Sequence, residues 1–359
     1  MNYTVLEYLD WYKTQKPVHW DLRKSGVPHL SLKEALLDGR EWELSGPNFY
    51  GFSPLVEAVG ERYSVPVENI VSTLGTTQAL YLIAAAVLEE GDEVLVEQPT
   101  YEPLSAVPAA FGARVVRFSR AFDKGYGFEP EEVEALLTEK TRMVVLSNLH
   151  NPSGIFTTET SLRKLAVRLE ERGIYLVVDE VYREAVRGQK GKTVFHSSKT
   201  AVSISSLNKV FGLGGLRCGW ALAPRPLVIR MYSIIDYLNG ENVFIGEKIA
   251  SELFPRLDSI KQRHESRIDT NRKIVAEMIR SEKNLDWVEP DAGIICFPRL
   301  KEGIEGNRFV EILRDEYQTA VVPGRFFDDS HHFRLGFGGD TETLIQGLNG
   351  IRSLLKRYP

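Results

Sequence analysis

The sequence predicts an α/β fold: a mostly parallel sheet wrapped by helices, joined to a smaller α+β domain. Three observations lead there. From about residue 70 to residue 207, short β-rich runs alternate with stretches of helical spacing. The runs are continuously apolar rather than alternating, as strands covered on both faces are. Near residue 245 the pattern changes to long amphipathic helices followed by shorter strands.

The first 40 residues precede the alternating region and read as a segment packing with the smaller domain. Residues 41–245 form the large domain. Its strands are expected at 93–99, 113–119, 142–148, 174–180 and 201–207. Between them "TTQALYLIAAAVLEEG" and "TETSLRKLAVRLEERG" are helices that run to a glycine. Residues 246–359 form the smaller domain. It opens on one or two long helices interrupted around Pro255, continues through strands at 293–298, 319–323 and 332–338, and closes on a helix at 341–357. No Gly-, Ser- or Pro-rich linker separates the parts, which implies one rigid two-domain body.

Composition excludes several classes. A net charge of −5 recommends neither nucleic acid nor an anionic membrane as partner. The longest apolar stretch, "ALYLIAAAVL" at 79–88, is too short to span a bilayer. The opening residues carry acidic and aromatic side chains and do not read as a signal peptide. Two distant cysteines, Cys218 and Cys296, make a disulfide framework unexpected and a reducing cytoplasm the expected compartment.

Ligands of open α/β sheets bind beyond the carboxyl ends of the strands, and each strand here ends in polar residues. Gly75, Thr76 and Thr77 stand at a helix start, where free N–H groups and the helix dipole favour an anion; simple helix capping is the alternative. Tyr101 follows a strand as a stacking platform or as packing. Asn151 precedes a Pro-Ser-Gly turn, where a structural asparagine is equally at home. Asp179 ends a very apolar strand and needs a helix start or a cation to compensate its burial, and Tyr182 lies three residues on. Lys209 follows the last strand in "SSLNKVFGLGGLRCGW". Most lysines are solvated, but a buried one loses proton affinity and becomes a nucleophile. The "GLGG" after it lacks the spacing of a dinucleotide fingerprint. One ligand would use all of these groups: it carries a phosphate, a basic ring nitrogen, a phenolic oxygen and an aldehyde. Pyridoxal phosphate fits.

These residues resemble the fold-type-I pyridoxal-phosphate enzymes and, within them, the class I/II aminotransferases of the aspartate aminotransferase superfamily. In "SSLNKVFGLGGLRCGW" a small hydroxyl residue precedes the lysine by three and an arginine follows it by eight. The resemblance implies that Ser206 and Arg217 contact phosphate and that Lys209 forms the Schiff base. "LGTTQAL" is similar to the family's phosphate-binding helix start, and Tyr101 falls where an aromatic stacks on the ring. "NLHNPSG" and "DEVY" match in order and in their separation of 28 residues from Asn151 to Asp179. By the same match Asp179 meets the ring nitrogen, Asn151 and Tyr182 meet the phenolic oxygen, and Asn151 also faces substrate. "VVPGRFFDDSHHFRLGFG" resembles the segment whose last arginine, Arg334, grips the substrate α-carboxylate, and Gly26 in "KSGVP" would approach the substrate. The resemblance implies a homodimer, amino acid and 2-oxo acid substrates, and no metal. Tyr50 departs from the pattern: it abuts Gly51 of a G-x-x-x-L element (Gly51, Leu55), whereas the partner-supplied tyrosine is expected nearer Gly46. Asn208 stands where a serine is common.

The chemistry so implied is amino transfer. The same cofactor also serves carbon–sulfur β-lyases, other lyases and decarboxylases on this fold; "HNP" is reminiscent of the β-lyases, although those usually carry histidine where Tyr182 stands. A ligand-sensing domain or a nicotinamide oxidoreductase fits the sequence less well, since the lysine signature is intact.

Overall fold

The computed structural model describes residues 1–35, 39, 41–290 and 292–358. Strands are numbered in chain order: β1 Trp20–Asp21, β2 Ile70–Thr73, β3 Glu93–Gln98, β4 Arg114–Ser119, β5 Thr141–Ser147, β6 Tyr175–Asp179, β7 Ala201–Ser206, β8 Gly219–Leu222, β9 Leu285–Asp286, β10 Ile295–Cys296, β11 Arg299–Leu300, β12 Thr319–Ala320, β13 Val322–Pro323 and β14 Phe333–Gly336. The central sheet has the order β2-β8-β7-β6-β5-β3-β4. It is parallel except for β8, which runs antiparallel to both neighbours.

The five strands expected from apolar runs form within a residue or two of their expected ends. Their interiors are buried on both faces, for example Met143 to Leu146 and Leu176 to Val178, which is why their sequences do not alternate. One face packs on helices Thr76–Val87 and Arg225–Leu238 through Ala79, Leu82, Ile83, Leu227 and Met231. The other packs on helix Glu159–Glu170 through Leu162, Leu165 and Leu169. Helix Thr76–Val87 stops four residues before Gly91, because Leu88 is already extended. The sequence reading omits β2 and β8, each only four residues long.

The long helical region is split as its proline predicts. Helix Phe244–Leu253 passes through a short 3₁₀ turn holding Pro255 into helix Leu257–Ser281. The first helix and the start of the second pack on helix Ser53–Tyr63 through Leu253, Phe254, Leu257 and Ile260. Further along, Val275 and Ile279 join the core beneath β14, with Phe309, Leu313, Leu335 and Leu348.

The N-terminal segment ties the two cores together. β1 pairs in parallel with β12, and Gly336 N–H donates to the Leu22 carbonyl at 2.8 Å. A Cβ at Gly336 would lie 1.9 Å from the Lys24 carbonyl, so only glycine admits this approach. A few residues later the Val27 N–H donates to the Lys209 carbonyl at 3.0 Å, which brings the segment down onto the end of β7.

Candidate active site

The carboxyl ends of β5, β6 and β7 and the start of helix Thr76–Val87 open on one cavity of about 600 Å³. All twelve residues that the sequence assigns to one site line it: Gly26, Gly75, Thr76, Thr77, Tyr101, Asn151, Asp179, Tyr182, Ser206, Lys209, Arg217 and Arg334. Gly46 and Tyr50 do not. A Cβ on Gly46 would run into the Phe244 ring, and Tyr50 is 58% exposed, with its ring 5.0 Å from that of Tyr232.

One end of the cavity is built for an anion. Helix Thr76–Val87 begins at Gly75, whose φ of 102° suits glycine, and no side chain caps it. Thr76 and Thr77 are therefore not caps, and the first-turn N–H groups stay available to a ligand. Arg217 Nη2 donates to the Leu74 carbonyl at 2.5 Å, alongside this helix start. A Cβ on Gly75 would stand 2.8 Å from that Nη2, and one on Gly219 would stand 2.7 Å from the Gly75 Cα. The glycines thus admit a close convergence of backbone and guanidinium. Arg217 itself adopts φ 55°, the left-handed conformation that ends the short 3₁₀ turn Gly214–Leu216. Ser206 ends β7 in register with Gly219.

The middle of the cavity holds a buried acid and a buried amine. Asp179 accepts from the Val181 N–H at 3.0 Å, yet burial pushes its carboxyl up to about 7. Lys209 Nζ donates to Ser25 Oγ at 3.0 Å. Burial, with the Arg334 charge in support, pulls the lysine down to about 8. Tyr182 donates to the Ser25 carbonyl at 2.9 Å, and burial raises its hydroxyl far above the ordinary range. Tyr101 is held protonated in the same way.

Arg334 forms the far wall. It is 1% exposed; Nη1 donates to Asn151 Oδ1 at 3.0 Å and Nη2 to the Tyr8 hydroxyl at 2.7 Å. Its Nε is buried without an acceptor among the described residues. A guanidinium so placed, with donors in reserve, suits a carboxylate. Gly26 lies against Lys209, but a Cβ there would meet it only at ordinary contact distance, 3.6 Å. Sterics alone therefore do not demand glycine. The sequence does not single out Ser25, and it offers Tyr8 only as one of several N-terminal aromatics (Tyr3, Tyr8, Trp11, Tyr12, Trp20) that read as packing in preference to pocket walls. "KSGVP" contains Ser25, but a serine beside a glycine carries no signal of a lysine 184 residues away.

The amino-acid sequence matches the family profile "Aminotransferase class I and II" over residues 26–351. The chain belongs to the class I and II aminotransferases. It is 30% identical to a capreomycidine synthase of Streptomyces vinaceus over 92% of this chain and 88% of that one. It is 28% identical to an arginine–pyruvate transaminase of Pseudomonas aeruginosa, covering 86% and 79%. In fold it is similar to a PLP-dependent aminotransferase of Streptococcus suis, with a TM-score of 0.93 at 24% identity over 100% and 99% of the two chains.

The cofactor of this aminotransferase is pyridoxal phosphate, and the geometry fits it. An uncapped helix start beside an arginine suits the phosphate, a buried acid the ring nitrogen, and a buried amine of lowered proton affinity the aldehyde.

Without the cofactor, the two buried groups set a pH dependence. Folding raises Asp179 from 3.8 to about 7, so stability falls as pH rises across that window. Folding lowers Lys209 from 10.5 to about 8, so stability recovers as pH rises across that second window. Relative to an Asp179→Asn/Lys209→Met double variant, the apoprotein should be least stable between about pH 7 and pH 8, by roughly 2 kcal/mol or more. Urea unfolding of both apoproteins across pH measures the trough; a difference that does not vary with pH contradicts these assignments.

Proposed function

We propose that this aminotransferase moves an amino group from an amino acid to a 2-oxo acid with Lys209 as the reactive amine and Arg334 as the carboxylate clamp. The observation that carries the reading is the convergence of Lys209, Asp179 and Arg334 on one cavity. The first turn after Gly75 (Thr76 and Thr77), Ser206 and Arg217 would hold the phosphate. Asp179 would pair with the ring nitrogen, Asn151 and Tyr182 with the phenolic oxygen, and Tyr101 with the ring face. When bound, pyridoxal phosphate supplies an aldehyde carbon for exchange of amines and a ring that accepts the electron pair released at the substrate Cα.

The protein's own part follows from its geometry. Arg334, steadied by Asn151 and Tyr8, receives the substrate carboxylate on its remaining donors and so fixes where Cα lies. Burial brings Lys209 down to about 8, so a usable fraction of its amine is neutral near pH 7 to 8, where an ordinary lysine is almost wholly charged. Its Nζ can therefore take the Cα proton as general base. Ser25 accepts from that Nζ through its hydroxyl and from Tyr182 through its carbonyl, holding both groups against the same wall.

A screen of single amino acids against the loaded enzyme, including the arginine, aspartate and aromatic classes named for its relatives, tests the reading. At least one donor should convert the cofactor to its amine form and release its own 2-oxo acid, and a second 2-oxo acid should restore the starting spectrum. Arg334→Met should then lower kcat/KM for that donor by roughly 10- to 100-fold. Release of ammonia with no need for an acceptor would instead mark a β-lyase, and no conversion by any donor would overturn both.

We further propose that two copies pair across the face formed by residues 44–50 and 237–243. Phe49, Tyr50 and Tyr237 are exposed there, Tyr237 by 92%, and exposed apolar patches of this kind mark contact surfaces. Asn48 Nδ2 donates to the Asn242 carbonyl and Asn242 Nδ2 to the Ser72 carbonyl, linking this face to the strand that leads into Gly75. Light scattering should give twice the 40.6 kDa chain mass and a lower mass for Tyr237→Asp. A wild-type protein of single-chain mass contradicts the pairing. Cys218 and Cys296 are buried and unpaired, and burial raises both thiols, which supports a reducing cytoplasm as compartment; a non-reducing mass map showing both thiols free in protein isolated from cells would agree, and a disulfide would not. Among the described residues no helix is long and apolar enough to cross a membrane.

A further inference from the structure

Beneath the cavity lies an ion pair that the proposed reaction does not itself use. Glu97 of β3 and Arg120, just beyond β4, are both fully buried, with Arg120 Nη1 2.7 Å from Glu97 Oε2. The arginine is held on every nitrogen: Nε donates to the Tyr126 carbonyl at 2.6 Å, Nη1 also to the Ser147 carbonyl at 3.4 Å, and Nη2 to Thr157 Oγ1 at 2.9 Å. Burying such a pair costs desolvation that apolar residues of the same volume would avoid, so net stability is a poor account of it. Its directional consequences are specific. Glu97 Oε1 accepts both from the Ser147 N–H at 2.7 Å and from Ser147 Oγ at 2.5 Å. With its proton so committed, Ser147 Oγ can only accept on its other side, and it accepts the Asn151 N–H at 2.9 Å. Asn151 Oδ1 in turn accepts from Arg334. Asn148, adjoining Ser147, donates its N–H to the Asp179 carbonyl at 2.8 Å.

An unbroken chain of hydrogen bonds therefore runs from Arg120 through Glu97, Ser147 and Asn151 to Arg334. Asn151 is held at two points, by its N–H and by its Oδ1, while its Nδ2 donates to no protein acceptor among the described residues. We propose that Glu97, neutralised by Arg120, is a positioning residue that orients the Ser147 hydroxyl and through it aims the Asn151 amide at the cofactor. The inference rests on the reading that Asn151 meets pyridoxal phosphate. A purely structural role would stabilise the loop after β5 equally with and without the cofactor. A positioning role acts on cofactor affinity.

The deciding variant is Ser147→Ala, which removes only the linking hydroxyl. Titration of the apoprotein with pyridoxal phosphate should give a Kd raised about 5-fold or more, the size of one hydrogen bond. The melting-temperature gain on adding saturating cofactor should shrink accordingly. Ser147→Thr, which keeps the hydroxyl, should bind within about 2-fold of wild type. A Ser147→Ala Kd within about 2-fold of wild type overturns the proposal whatever the melting temperature does, and so does a Ser147→Thr as weak as Ser147→Ala. Glu97→Gln carries the same expectation and replaces Ser147→Ala should the latter not fold; failure of both to fold makes the network structural and also overturns the proposal. Wild-type protein that takes up no cofactor would defeat the underlying cofactor reading instead, a result visible before any variant is compared.

Discussion

Burial of Lys209 beside Asp179 is the constraint around which the rest of the structure is arranged. Both sit at the carboxyl end of a sheet covered on both faces, and each is driven toward its neutral form by loss of water. Such a pair is expensive in an empty protein. It becomes useful once a ligand with an aldehyde and a basic nitrogen occupies the space between them. The parallel strands make the placement possible, since β5, β6 and β7 all end on the same side and deliver Asn151, Asp179 and Lys209 to one cavity.

The remaining parts come from far along the chain and are held by close backbone approach. The N-terminal segment threads between the two cores, pinned by Gly336 at one end and by the Lys209 carbonyl at the other. That path places Ser25 against both Lys209 and Tyr182. β14, paired between β10 and β13, carries Arg334 to the opposite wall. Arg334 is itself aligned from two sides, by Tyr8 of the N-terminal helix and by Asn151 of the large sheet. Arg334 is therefore held from both cores, so that a shift of one against the other would move its guanidinium.

How much of this is legible in the amino-acid sequence follows from the range of each interaction. Lys209, Ser206 and Arg217 lie within a dozen residues, so their relation is written locally in glycine spacing and in a strand end. Gly212 shows why: its φ of 69° and a would-be Cβ 2.3 Å from the Pro28 carbonyl require glycine. The five doubly covered strands are equally plain. β8 is not, since four residues of "GWAL" running antiparallel among parallel neighbours leave no periodic trace. The contacts of Tyr8 and Ser25 are invisible for a different reason. Their partners lie 326 and 157 residues away, and only tertiary packing joins them. Nothing in the sequence sets Glu97 and Arg120 apart from other charged residues near strand ends, and only the fold shows that neither reaches water.

The most direct test of the account is to find which amine holds the cofactor. Borohydride reduction of the loaded enzyme fixes pyridoxal phosphate to that amine, and peptide mapping then locates it. A single phosphopyridoxyl group per chain, on Lys209 and lost in Lys209→Ala, is the result predicted here. A label on another lysine, or none at all on a protein that has bound the cofactor, would contradict it.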